Sequence, residues 1–341
     1  MPTYTPSPAY RDQGPYRTGV LLVNSGTPDS LTPKGIRAFL RRLLRDRRTI
    51  EVPRAIWCWI LYFIILPLRP VKVVPKYRRV WTPKGSPLLL WSQELRAEVQ
   101  DAIGDTLGEP AVVELGMLYS TPSVADGLSR LREAGAQRII VLPLFPQYSG
   151  STTAAAYDQV GRALRDWRFL PELRYIPDYH VEPDYIAALA ASVRAHRAAR
   201  PGATHLLVSF HGIPAAYCDD GDPYFRKCHQ TATALAAALG LVEADYTVSF
   251  QSRVGAARWL EPYTDNVVEE LGKRGVKQLD VICPGFAVDC LETVDEMGYE
   301  AAEIFHEAGG ESLRYVPALN AEAAHAALLA RLAIAHARQL P

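Results

Sequence analysis

Leu173–Ala190 reads LRYIPDYHVEPDYIAALA, and 140 residues later Leu313–Ala330 reads LRYVPALNAEAAHAALLA. Leu, Arg, Tyr and Pro recur in order, followed in each case by an alanine-rich stretch with helical spacing. Working outward at the same offset, REAGAQRIIVLP (132–143) lies over GKRGVKQLDVIC (272–283). Further upstream LLVNSGTP (21–28) pairs with LLVSFHGIP (206–214). The chain therefore reads as two related halves. In both, β-branched runs (GVLLVNSG, VVELGMLY, RIIVLPLF and LRYIP, then HLLVSFHG, DYTVSF, LDVICPGF and LRYVP) alternate with amphipathic helical segments, a βαβ rhythm. Strands that are apolar throughout imply parallel sheets covered on both faces. The fold expected is α/β: two similar Rossmann-like domains, each a parallel sheet flanked by helices, with a cleft between them. The domains are placed at 18–170 and 171–341, with a last helix over 321–338 that packs on the first domain.

The halves are unequal. From Leu22 to Gly135 is 113 residues, whereas Leu207 to Gly275 is 68, so the first half carries an inserted feature of about 45 residues. That region holds Ala55–Leu68, AIWCWILYFIILPL, an uncharged run of fourteen residues. A membrane span needs roughly twenty, so the run reads as an apolar lip for a membrane surface or a flat ligand. Thirty-seven basic residues balance thirty-seven acidic ones, which gives no field to gather a phosphate backbone and excludes a nucleic-acid partner. Five scattered cysteines without a CxxC pair point to a reducing compartment, the cytoplasm. Residues 1–17 have four prolines and no apolar h-region and read as a disordered leader, not an export signal.

Ligands of open parallel sheets sit beyond the carboxyl ends of the strands, and His211 stands at such an end in VSFHGIP. After LDVICPGF comes AVDCLETVDEMGYE, in which Glu292, Glu296 and Glu300 are spaced by four and form one stripe of a helix. No Lys or Arg relieves the charge between Asp289 and Glu300. Such a stripe is a solvated face, or else a carboxylate path for protons or for a weakly held divalent cation. PQYSGSTT (146–153) brings Tyr148, Ser149 and further hydroxyls to a helix start, where an anion such as a carboxylate is welcome. Neither GxGxxG nor GxxxxGK[ST] occurs, so nucleotide binding is not expected.

Together, LLVNSGTP, the YRRVW…GSPL segment, PQYSGSTT, SFHGIP with GDPY behind it, and CPGFAVDCLET resemble the ferrochelatases, in order from about residue 18 to 338. The resemblance implies a chelatase-type fold and insertion of ferrous iron into protoporphyrin IX. It implies His211 and Glu292 as the catalytic and iron-facing pair, and Glu296, Glu300 and Asp289 as a proton or metal path. It also implies Arg69, Tyr77, Ser86, Tyr148 and Ser149 on the porphyrin's propionates or pocket wall, and lip residues Trp57, Ile60 and Ile64 over its apolar edge. Iron is then substrate, with no permanent cofactor. No [2Fe–2S] cluster is expected, because relatives that hold one have clustered C-terminal cysteines and this chain has none after Cys290. The resemblance further implies peripheral contact of the lip with the inner face of a membrane and an upstream porphyrin-making oxidase. Two departures stand out: many relatives have arginine where Leu118 is, and some have histidine where Cys290 is. Coproporphyrin insertion, a sirohydrochlorin-type cobalt chelatase and a two-lobed ligand-binding protein are the rival readings.

Overall fold

The computed structural model describes residues 4–5, 17–107, 111–202, 205–255 and 257–338. Most of the leader proposed for residues 1–17 lies outside these. Thr5 is an exception, held by backbone hydrogen bonds to Asp166 and Arg168.

The backbone groups into two compact units. Unit one contains residues up to Phe145, Gly150–Asp178 and those from Ala321 on; unit two contains Pro146–Ser149 and Tyr179–Asn320. In unit one the strands β1 (Thr18–Asn24), β2 (Val112–Met117), β3 (Arg138–Pro143) and β4 (Glu172–Tyr175) form a parallel sheet in the order β2-β1-β3-β4. In unit two β5 (His205–His211), β6 (Tyr246–Gln251), β7 (Gln278–Ile282) and β8 (Ser312–Val316) form a parallel sheet in the order β6-β5-β7-β8. The two orders are the same once the second set is renumbered from one, so the sequence repeat is a repeat of topology. β1 is buried along its whole length and β5 up to its last residue, as central strands covered on both faces must be.

The 140-residue offset holds residue by residue through the middle of each unit. Helices Val124–Glu133 and Thr264–Lys273 both end in a left-handed glycine, Gly135 (φ 80°) and Gly275 (φ 88°). The next amide then turns back onto Leu131 in one copy and Leu271 in the other. A Cβ at either glycine would meet nothing within 4 Å, so the backbone angle, not crowding, selects glycine here.

Unit one extends beyond the boundary expected at residue 170, because β4 pairs with β3 (Ile139 opposite Leu173) and carries the chain on to Asp178. Each repeat also gives its final helix to the other unit: Pro183–Ala199 belongs to unit two and Ala323–Arg338 to unit one. There Ala323–Arg338 lies along Pro87–Ile103, and Arg138 Nη1 donates to the Ala337 carbonyl at 2.8 Å. The core of unit two gathers Leu207, Val268, Leu271, Leu279, Val281, Met297 and Phe305. Burying each such side chain is worth about 1.5–3 kcal/mol before conformational entropy is counted.

The lip is longer than the uncharged run alone indicates. Helical turns continue through Arg69 and Lys72, with Pro70 and Pro75 inside, so one rod runs from Arg54 to Val80 over 27 residues. A π-turn at Leu61–Ile65 lies in the middle of it. Among the described residues this is the one helix long and apolar enough to cross a membrane by length and composition, which corrects the expectation that the run is too short. Leu61, Leu66, Pro70, Tyr77 and Val80 are buried, and Arg37 Nε donates to the Leu66 carbonyl at 2.9 Å, so the rod is docked on unit one along one side. Its other side exposes Ile56, Trp59, Phe63, Leu68 and Val71, with Phe63 70% exposed.

Candidate active site

The strand β5 ends on His211 because the next residue must pass very close to its neighbour. A Cβ on Gly212 would lie 3.1 Å from the Gln251 carbonyl oxygen and 3.2 Å from the Trp259 ring, and the Gly212 amide bonds that carbonyl at 2.8 Å. The half-buried imidazole stands between Trp259 and Phe286, both with ring centroids 6.4 Å away. Its Nδ1 is 2.6 Å from the Gly212 carbonyl oxygen. A carbonyl only accepts, so Nδ1 carries the proton and Nε2 keeps a lone pair.

The acidic stripe lies on Glu292–Glu300, a π-helical segment that continues as helix Ala301–Glu307. Asp289 anchors its start. The buried carboxylate accepts from Tyr315 OH (2.7 Å), Asn320 Nδ2 (2.8 Å), Thr293 Oγ1 (3.0 Å) and the Ala318 amide (3.3 Å). With its oxygens taken by four donors, Asp289 holds the helix in place and is poorly suited to carry protons along it. Glu292, Glu296 and Glu300 alternate with buried Thr293, Asp295 and Met297 and are each half-buried. Burial, and then the Glu292 carboxylate beside it, push the Cys290 thiol well above its ordinary pKa. Cys290 is therefore a neutral hydrogen-bond donor to Glu292, not a thiolate ligand.

Two residues that the sequence reading passed over complete the cluster. Gln251 ends β6 directly abreast of His211 and is 4% exposed. Its Nε2 donates to the Glu292 carbonyl at 2.8 Å and points at Glu296 Oε2 at 3.4 Å. Ser252, in the left-handed region at φ 67°, donates its hydroxyl to the same Glu296 oxygen. Such a backbone angle costs a non-glycine residue about 1–3 kcal/mol, and here it aims the hydroxyl at the carboxylate. The signal was present in DYTVSFQS, a second apolar strand that stops on polar residues at its carboxyl end.

Tyr148 and Ser149 also lie in unit two. Tyr148 is half-buried, and the buried Ser149 hydroxyl donates to Asp222 at 2.9 Å. The remaining expected substrate contacts lie in unit one. Ser86 is buried with its hydroxyl 2.8 Å from that of Thr27, Tyr77 is buried edge-on to Trp81, and Arg69 is half-buried. Of the expected lip residues, Trp57 is turned inward, its indole donating to the Leu44 carbonyl at 2.6 Å. Ile60 is half-buried and Ile64 exposed. Helical phase is the reason: Ile56, Trp59 and Phe63 share the outward stripe instead. Leu118 is buried, and the neighbouring Tyr119 hydroxyl donates to Asp46 at 3.1 Å. All five cysteines are free thiols. Among the described residues no group of three His, Cys, Asp or Glu side chains is placed to hold a metal ion.

Solved structures with the same fold include SirB from Bacillus subtilis with Fe3+ (TM-score 0.52, 13% identity, covering 94% of this chain and 96% of that one). CbiX, described as the terminal enzyme for biosynthesis of siroheme in denitrifying bacteria, is another (TM-score 0.53, 15% identity, covering 94% of this chain and all of that one). Likeness at this level is one of architecture. In sequence, a ferrochelatase of Thioalkalivibrio sulfidiphilus is 48% identical over 332 residues, 97% of this chain and 90% of its own. A ferrochelatase of Aeromonas hydrophila is 48% identical over 316 residues, 93% of this chain and 97% of its own. The sequence model of the family Ferrochelatase matches residues 17–337, nearly all that the resemblance of the motifs had spanned, and the chain belongs to that family.

Proposed function

We propose that this enzyme inserts ferrous iron into protoporphyrin IX with His211 Nε2 as first acceptor of the pyrrole protons and the Glu292–Glu296–Glu300 stripe as their exit. The reaction, the last step of haem biosynthesis, is a lyase-type metal insertion. Two N–H protons leave the macrocycle, Fe2+ sheds its water and enters, and the ring's four nitrogens become its ligands. One observation carries the assignment of roles: Nδ1 of His211 is tied to the Gly212 carbonyl, which leaves Nε2 as a lone-pair acceptor at a strand end. The lone pair on Nε2 accepts such a proton, and the carboxylates on the adjoining helix stabilise the positive charge that must then leave. The same carboxylates are hard, weak ligands, which suits an ion that must be released into the ring. Trp259 and Phe286 beside the imidazole offer aromatic surface to a flat apolar ring.

The test is anaerobic turnover with Fe(II) and protoporphyrin, followed by the haem absorbance. His211→Ala should lower kcat by about 10²–10⁴-fold while porphyrin affinity changes little. Turnover within about threefold of wild type would remove His211 from the mechanism.

The exposed stripe of the lip supports peripheral attachment from the cytoplasmic side, where the apolar product of the preceding oxidase would be collected. Ile56, Trp59, Phe63, Leu68 and Val71 face outward, and beside them Lys34, Arg37 and Arg41 line a groove with Tyr62, Leu66 and Pro67. An apolar stripe flanked by cations is the pattern of a helix lying in an anionic membrane surface.

A further inference from the structure

Gln251 has every hydrogen-bonding group of its amide engaged. Oε1 accepts from Ser209 Oγ at 2.8 Å and from the Cys283 thiol at 3.5 Å, while Nε2 serves the Glu292 carbonyl and Glu296 Oε2. The amide's orientation is fixed by chemistry as well as by space. Turned over, it would set Oε1 against a carbonyl and a carboxylate, neither of which can donate. Behind it the hydroxyls of Ser209, Thr264 and Ser249 form a buried chain, at 3.0 and 2.8 Å, that holds Ser209 in place. In front, β6 holds Gln251 abreast of His211 by ladder bonding. One residue thus touches the backbone of Glu292, the carboxylate of Glu296 and the strand position beside the imidazole.

We propose that Gln251 is a positioning residue for metal insertion: it fixes the first turn of the π-helical segment relative to β5 and so sets the spacing between His211 and the carboxylate stripe. The inference rests on the roles given above to His211 and Glu292. It goes beyond them in making the geometry of that pair depend on an uncharged amide that ties the helix to the sheet. A strut of this kind matters because proton hand-over falls steeply when donor and acceptor drift by an ångström.

The experiment is a double-mutant cycle on kcat in the full-length enzyme, with protoporphyrin binding measured in parallel. Gln251→Met keeps the length and loses the hydrogen bonds. It should lower kcat about tenfold, leave the porphyrin dissociation constant within about twofold, and change kcat by less than about twofold in a Glu292→Gln background, where the carboxylate assigned to act with His211 is gone. A merely structural loss would instead carry over undiminished into the Glu292→Gln background, and that result overturns the proposal. So does Gln251→Met turning over within about twofold of wild type. If Gln251→Met does not fold, Gln251→Asn, which keeps an amide one methylene short, enters the same cycle with the same criteria. His211→Ala in the same assay separates the two ideas. If it is inactive and Gln251→Met is active, only the strut falls; if it is active, the underlying reading falls first.

Discussion

The segments that follow β3 and β7 are the same structure carrying opposite chemistry. Both begin with a π-turn, at Gly150–Ala154 in the first copy and over Glu292–Glu300 in the second, and a buried threonine holds the same place in each, Thr153 and Thr293. At the 140-residue offset, Thr152 stands where the other copy has Glu292, Ala156 where it has Glu296, and Val160 where it has Glu300. Ala156 and Val160 are fully buried, whereas the three glutamates are half-buried. The first copy thus shows what the scaffold needs to fold, an ordinary apolar face. The second shows what has been added: a line of carboxylates that folding does not call for and that like-charge repulsion at this spacing disfavours. β3 and β7 differ in a similar way. Ile140 lies in the core of unit one, and in its place unit two buries Asp280 completely. Asp280 Oδ1 accepts from Arg314 Nε (2.9 Å) and Oδ2 from Arg197 Nε (2.9 Å).

Copying the first unit into the second breaks this comparison in two places, with different readouts. Asp280→Ile restores the apolar residue but leaves Arg314 and Arg197 facing each other without their counter-ion. Removing one partner of a buried ion pair costs about 3–5 kcal/mol, so the urea midpoint of unfolding should fall markedly. Midpoints that agree within error would mean the cluster is no stronger than the apolar packing of unit one. Glu292→Thr, copying Thr152, should leave stability nearly unchanged and lower kcat by about 10²-fold. Glu300→Val, copying Val160, should act less, by about two- to fivefold and chiefly on the KM for iron, because it lies two steps along the stripe from Glu292. Equal effects from the two would mean that the carboxylates act as a diffuse field with no order along the path.

The offset that marked two halves in the sequence reappears in the folded chain as one strand order used twice. Strand signals are local, and two copies of one topology place their strands by the same rules. The acidic stripe was readable for the same reason, as unrelieved charge at helical spacing. Gln251 and Ser252 were not, because an amide and a hydroxyl at a strand end look like any turn until the chain is folded. Only then does β6 stand beside β5 and face a helix forty residues away in sequence. Composition located the lip near Trp57; which residues of it turn inward depended on Trp57 finding the Leu44 carbonyl. The boundary expected at residue 170 fell short because β4 pairs with β3 and carries unit one on to Asp178.

Unit two should also be the acid-sensitive one. His196, His205 and His229 all lie in it, and burial is the leading cause that lowers the pKa of each. The folded form therefore resists protonation that the unfolded chain accepts near its ordinary value of about 6.5. Stability is fully present above that value and is lost as pH falls through it towards the depressed folded values. The urea midpoint should drop between pH 7.5 and pH 5.5, and His229→Gln should shrink the drop. A midpoint unchanged over that interval would mean that these rings are not the seat of an acid response.

The smallest expected difference lies at the starts of the two matching helices. Val124–Glu133 opens with a reciprocal cap: Ser123 Oγ accepts from the Asp126 amide at 3.2 Å, and Asp126 Oδ2 accepts from the Ser123 amide at 2.8 Å. Thr264–Lys273 opens with Tyr263, which makes no side-chain cap and lies under Arg253 instead, 4.3 Å from guanidinium to ring centre. Ser123→Ala should therefore cost about 1 kcal/mol at neutral pH, while Tyr263→Phe, which keeps the ring, should change stability by less than about 0.5 kcal/mol. The two penalties should also respond differently to acid. The hydrogen bonds from the Ser123 hydroxyl, and then from its amide, hold the Asp126 carboxyl below its ordinary pKa. Its contribution is present above the unfolded value of about 3.9 and is lost as pH falls through the folded one. The gap between wild type and Ser123→Ala should thus narrow as pH falls below 4, whereas Tyr263→Phe should show no such trend. A Ser123→Ala penalty that stays constant into that acid range would mean that the serine acts by its own bond to the Asp126 amide and that its hydroxyl's bond to the Asp126 carboxylate contributes nothing.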